Sequence, residues 1–241
     1  MIQTDTSALE YRNYVNKKFG LKDFDAWVNS QLDLKDDLKY LDVGCGVGKH
    51  LLQIATDYKI ECVGTDVSES SLEICNEKKL KNVKVINCNH SSLKENLIDQ
   101  KFDRILSSYS IYYTHDAEKT FNDIYEMLED KGVFFICGPH SDNNKQFSEM
   151  LTRAGIPFSK DFISWSNFLI DVAKPLMEKL FGNVEEILFD NPITFPDVET
   201  VFNYWKSTPH YFFEVEEVIK ELVKESIEKT GNFVINKKVI G

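Results

Sequence analysis

No run in this 241-residue sequence approaches about 18 consecutive apolar residues, so no transmembrane helix is expected. Positive charge is scarce: 28 Lys and Arg face 39 Asp and Glu, a net charge of −11. That disfavours nucleic acid as a partner, which would need a basic face. The five cysteines (Cys45, Cys62, Cys75, Cys88 and Cys137) are odd in number and scattered, with no Cys-x-x-Cys. Such usage argues against a zinc site or a disulfide framework and fits a reducing, cytoplasmic setting. The five histidines are dispersed, and no pair has i, i+4 spacing with an acid, so no metal site is predicted. The opening Met1 to Thr6 has neither a basic n-region nor an apolar h-region, so no signal peptide is expected. Repeats and low-complexity segments are also missing. What is left, 42% hydrophobic and 28% charged, is ordinary for a globular chain of one domain with a generous insert or cap.

The stretch from Lys39 to Asp66 carries the strongest signal. Tyr40, Leu41 and Val43 form the short apolar run of a buried parallel strand. Gly44, Gly46 and Gly48 then permit a sharp turn and a close approach of backbone to a ligand. Leu51, Leu52, Ile54 and Ala55 give the next segment a helical packing face, and Ile60 to Thr65 reads as a second strand closed by Asp66. An acid about 20 residues past a glycine-rich turn is placed to accept hydrogen bonds from a ribose diol. A dinucleotide fingerprint needs Gly-x-Gly-x-x-Gly, whereas residue 49 here is Lys. A nucleoside site is therefore better supported than a pyrophosphate site, and a nicotinamide-binding domain is a distant alternative.

With its Asp42-x-Gly-x-Gly-x-Gly opening, this stretch resembles motif I of the class I S-adenosylmethionine-dependent methyltransferases, Asp66 matching their ribose-binding acid. The resemblance is firm by motif over 39–139 and extends to 183–240 only by the order of elements. It implies an α/β fold: a doubly wound, seven-stranded, mostly parallel sheet of Rossmann-like methyltransferase type, with a helical cap. It also implies S-adenosylmethionine as cofactor. Asp42, Gly44, Cys45, Gly46 and Gly48 would line the turn and hold the methionine part, and Asp66 with Val67 would hold the ribose. Val83 to Cys88 is the third strand. Relatives usually follow it with an acid for the adenine amino group; here that place is Asn89, uncharged but still an acceptor, with His90 beside it. Phe102 to Ser110 matches the family's fourth strand, so Ser107, Ser108 and Tyr109 are expected beside the sulfonium, followed by Tyr112 and Tyr113 near the reaction centre.

Outside that half, residues 1–35 read as two short helices interrupted at Gly20, a lid that packs on the sheet edge or brings Tyr11 or Tyr14 to the ligands. Residues 36–241 read as the methyltransferase domain, with cap insertions around 156–182 and 193–230. Ser68 and Asp116 are predicted N-caps. Gly132 is predicted to stop the helix after Asp116, and Val133 to Cys137 to form the fifth strand. The sixth strand is predicted at Val184 to Phe189 and the last at Phe233 to Ile240. Trp27, Trp165 and Trp205, with Phe158, Phe195, Tyr204, Tyr211, Phe212 and Phe213, lie outside 39–139, which suggests an aromatic cap around a small acceptor as well as ordinary packing.

A sulfonium methyl is already activated, so the protein must orient the acceptor, exclude water and, for some acceptors, take a proton. His140, just past the fifth strand, is the candidate base, with His115 and His210 behind it. Tyr11, Tyr14, Tyr113, His140, Trp205 and Tyr211 are the candidate acceptor contacts. No Asn/Asp-Pro-Pro-Tyr follows the fourth strand, which argues against base methylation. The expectation is methyl transfer to oxygen or nitrogen of a small molecule. Protein or RNA methylation, or non-catalytic cofactor binding, are the alternatives, and the oligomeric state is open.

Overall fold

The computed structural model describes residues 6–157 and 166–241. The expectations for Phe158 and Trp165 lie outside the described residues. In chain order the strands are β1 (Lys39–Val43), β2 (Glu61–Asp66), β3 (Val83–Asn87), β4 (Phe102–Ser108), β5 (Leu128–Pro139), β6 (Leu188–Phe195) and β7 (Phe233–Ile240). The helices are α1 (Thr6–Phe19), α2 (Phe24–Ser30), α3 (Lys49–Asp57), α4 (Glu69–Glu77), α5 (Leu93–Asn96), α6 (Ala117–Met127), α7 (Lys145–Arg153), α8 (Lys174–Phe181), α9 (Val198–Lys206) and α10 (Glu216–Thr230). The described strands form one seven-stranded, mostly parallel sheet in the order β3-β2-β1-β4-β5-β7-β6.

The described residues group into two compact units. One comprises residues 24–139, 167–187 and 240–241; the other comprises residues up to 23, 140–166 and 188–239. The division near the N-terminus falls after Asp23, between α1 and α2.

In the first unit, β1 pairs in parallel with β2 on one side and β4 on the other, with Val43 opposite Thr65 and Leu41 opposite Ile105. Strand order therefore reverses at β1 and β4, which opens a crevice beyond their carboxyl ends. Leu41, Val43, Ile105, Phe121, Ile124 and Ile136 are buried in its core. Ser68 caps α4 by accepting from Ser71 N–H, and Asp116 caps α6 by accepting from Lys119 N–H. α6 ends at Met127, five residues before Gly132, because Leu128 turns extended and pairs with Phe102. Arg104 then pairs with Val133, so residues 129–132 bulge out opposite Asp103 alone. Gly132 belongs in that excursion: a Cβ there would lie 2.7 Å from the Leu128 side chain.

In the second unit, Val15, Phe147, Phe195, Tyr204, Trp205, Ile219, Val223 and Phe233 are buried together. β6 begins at Leu188, later than the sequence pattern places it, and continues through Pro192 to Phe195. Its inward residues are Phe189, Asn191, Ile193 and Phe195. Proline is tolerated because β6 is the edge strand of the sheet. Asn191 occupies an inward position because its side chain replaces missing backbone partners. Its Oδ1 accepts from Leu21 N–H (2.8 Å) and Lys22 N–H (2.9 Å), and its Nδ2 donates to Lys22 O (3.1 Å).

Candidate active site

The site is built on the loop after β1. Gly44, Gly46 and Gly48 all have positive φ, at +75, +54 and +81°. Gly44 N–H and Cys45 N–H both donate to Thr65 O, at 2.7 and 2.9 Å, which folds the chain over the end of β2. Gly48 N–H donates back to Cys45 O at 2.9 Å and closes the turn into α3. Two of these glycines are required by close packing: a Cβ on Gly44 would lie 1.6 Å from Ser110 Oγ, and one on Gly48 2.6 Å from Cys75 Sγ. Gly46 differs. A Cβ there would meet nothing within 4 Å, so this side of the turn is open to a ligand.

Asp66, at the end of β2, fastens the turn from the other side. Its Oδ2 accepts from Gly46 N–H at 2.8 Å and its Oδ1 from Ser68 N–H at 2.9 Å. Each carboxylate oxygen keeps a further lone pair, so the group is aimed and still able to accept from a diol. Val67, next in the chain, is exposed. Asp42 is 2% exposed on β1. Burial pushes its carboxyl up to about 7, opposed by the Tyr40 hydroxyl and the Leu51 N–H, with the Asp66 charge adding to the rise.

Asn89 accepts from Ser91 N–H at 2.9 Å and caps the short turn His90–Ser92. His90 turns its ring inward, with Nε2 at 2.7 Å from Ser110 Oγ. Burial holds this imidazole below its ordinary range. Ser110 is the site residue that sequence reasoning missed. It joins the glycine turn to the loop after β3, and the only local sign of it was its place just past β4. Ser107 is fully buried, and its hydroxyl donates to Val43 O at 3.0 Å, tying β4 to β1. Tyr109 leaves β4 with φ +55° and its ring edge-on to Phe24 at 5.8 Å. A bulky residue at positive φ stores strain. Tyr112 packs on Gly138, whose Cβ would lie 3.2 Å from its ring, and stands 4.6 Å from the half-exposed Tyr113. The first unit holds Asp42, the glycine turn, Asp66, Asn89, His90, Ser107, Tyr109, Tyr112 and Tyr113.

The remaining candidates belong to the second unit. His140 Nδ1 accepts from Asp142 N–H at 3.0 Å, so the neutral ring carries its proton on Nε2. Trp205 is fully buried and donates from Nε1 to His210 O at 2.8 Å. Tyr211 donates to Glu216 Oε1 at 2.6 Å. Tyr14 is exposed and accepts from Lys18 Nζ, and Tyr11 is half-buried. Among the described residues no group of three or more His, Cys, Asp or Glu is arranged to hold a metal ion, and no helix is long and apolar enough to cross a membrane.

The model of a methyltransferase domain matches residues 34–156, the part that holds the turn, Asp66 and the crevice. The chain belongs to this methyltransferase-domain family. It is 26% identical over 123 residues to a sterol 4-C-methyltransferase of Caenorhabditis elegans, covering 48% of this chain and 35% of that one. It is 25% identical over 160 residues to a phosphoethanolamine N-methyltransferase of Plasmodium falciparum, covering 62% of this chain and 60% of the other. The methyltransferase-domain chain therefore spans only part of the length of these curated relatives. In fold it is similar to a Haemonchus contortus phosphoethanolamine N-methyltransferase 2 solved with S-adenosyl-L-methionine, at a TM-score of 0.57 and 15% identity, over 99% of this chain and 57% of that one.

Proposed function

We propose that this chain is an S-adenosylmethionine-dependent methyltransferase acting on oxygen or nitrogen of a small-molecule acceptor. The observation that carries the reading is the open side of Gly46, bordered by the Asp66 carboxylate that accepts from Gly46 N–H. Family membership supports it, as do relatives named for small acceptors. When bound, the cofactor supplies a methyl group already activated on sulfur.

In this reading the turn from Gly44 to Gly48 admits the methionine part at close range, with Asp42 beneath it. Asp66 accepts from the ribose hydroxyls through the lone pairs not used by Gly46 and Ser68. Asn89 accepts from the adenine amino group. Tyr109, Tyr112 and Tyr113 line the exit of β4 and exclude water. Of the acceptor-side candidates, Tyr11, Tyr14 and Tyr211 remain, whereas Trp205 is fully buried in its unit's core. His140 presents Nε2–H as a donor to the acceptor; acting as a base at Nδ1 requires release of Asp142 N–H.

Calorimetric titration with S-adenosylmethionine and S-adenosylhomocysteine, repeated on Asp66→Ala, tests the reading. Binding to the parent that the substitution strongly weakens, followed by methylation of a member of a panel of small amines and alcohols, is the expected result. No binding by the parent overturns it. Binding without turnover on any acceptor favours a non-catalytic binding protein.

A further inference from the structure

Cys45 and Cys75 meet behind the glycine turn. Cys45 follows β1, and Cys75 lies in the last turn of α4. Both sulfurs stand near one acceptor, the carbonyl oxygen of Gly46, at 3.7 and 3.4 Å. Each fills space that a neighbouring glycine leaves. Cys75 Sγ lies 2.6 Å from where a Cβ on Gly48 would stand, and Cys45 Sγ 2.8 Å from one on Gly64. The thiols also interact directly: the Cys45 S–H holds Cys75 below the ordinary thiol range, while Cys45 itself is raised by Cys75 and by burial. All five cysteines are buried, and the other three differ in acidity. Burial pushes Cys62 and Cys137 up to about 12 and Cys88 up to about 11, which leaves them poor nucleophiles.

We propose that Cys45 and Cys75 form a disulfide when the protein meets hydrogen peroxide, and that this bond closes the glycine turn to its nucleoside cofactor. The second half rests on the cofactor reading above. In the first step the Cys75 thiolate attacks one peroxide oxygen; the O–O bond breaks, an S–O bond forms, and the departing hydroxide takes up a proton to leave as water. In the second step the Cys45 sulfur attacks the Cys75 sulfur. The S–S bond forms, the S–O bond breaks, and the Cys45 proton leaves with that hydroxide as a second water. Two thiols are oxidised, and one peroxide is reduced to two waters. A disulfide needs its sulfurs about 2.05 Å apart, so Cys45 is drawn toward α4. The thiol hydrogens beside Gly46 O are lost, and the turn moves away from the geometry in which Gly46 N–H meets Asp66.

The test uses the reduced protein, treated with hydrogen peroxide, alkylated, digested and mapped by mass spectrometry. Affinity for S-adenosylhomocysteine is measured before treatment, after it, and after dithiothreitol. The expected result is a linked Cys45–Cys75 peptide with Cys62, Cys88 and Cys137 still alkylated. With it comes a loss of affinity of about tenfold or more, reversed by dithiothreitol. Cys75→Ser is expected to bind the ligand and to ignore peroxide; if that variant fails to fold, Cys75→Ala takes its place. Absence of the linked peptide overturns the proposal, and so does a linked peptide with unchanged affinity. If the reduced protein does not bind the ligand at all, the cofactor reading falls and takes the second half with it. The linked peptide still decides the first half by mass alone.

Discussion

A Cβ on Gly44 would stand 1.6 Å from Ser110 Oγ on a backbone already at φ +75°. Gly44→Ala therefore meets both a clash and a conformational penalty. Its expected outcome is loss of cofactor binding together with a lowered unfolding midpoint, checked by calorimetry and thermal melting. Asp66→Ala removes an acceptor that two backbone N–H groups and a ribose would share. A loss of about 2 kcal/mol, roughly 30-fold in affinity for S-adenosylhomocysteine, is expected. Asp42 gives a pH signature. Its folded carboxyl is raised to about 7, whereas an unfolded one lies near 4. Between those values the native state holds more protons, so this group's contribution to stability declines as pH rises from about 4 to 7. Asp42→Asn is accordingly expected to melt later than the parent at pH 8, with the difference gone near pH 4. A cationic methionine end favours the ionised acid, so ligand affinity of the parent should climb through pH 7 and that of Asp42→Asn should not. At His140, a donor role at Nε2 predicts that His140→Gln keeps more turnover than His140→Ala while neither changes cofactor affinity; equal loss in both would count against it.

At the scale of elements, capping and spacing made most of the chain readable. Ser68 and Asp116 cap α4 and α6 as their side chains and positions predict, and Gly20 separates α1 from α2. Asp197 caps α9 in the same way by accepting from Thr200 N–H. The helix after Asp116 and the sixth strand read less well. α6 stops at Met127 because strand pairing at Leu128 takes over, not because of Gly132. β6 runs through Asp190, Asn191 and Pro192, a triplet that looks like a turn until its edge position and the partners of Asn191 are known. Those partners predict a cost. Asn191→Ala leaves the Leu21 and Lys22 N–H groups without their side-chain acceptor, and about 2–3 kcal/mol of stability should go. Urea unfolding of the variant measures it; a change within experimental error would show that water replaces the asparagine.

For the whole molecule, ligand binding and stability are linked. A ligand at about 100 times its dissociation constant stabilises the state that binds it by about 2.7 kcal/mol, which should raise the melting midpoint of the parent by several degrees and that of Asp66→Ala by about a third as much. The sequence by itself determined the strand, glycine turn, helix, strand and acid of residues 39–66. Positive φ, capping and apolar periodicity are local properties that residue type and spacing already express. Only the tertiary structure decided the burial that raises Asp42, the His90–Ser110 contact behind Gly44, the Cys45–Cys75 pair and the latch made by Asn191. Each of these depends on which distant segments meet and on how much water they exclude, and neither quantity is carried by a residue and its near neighbours.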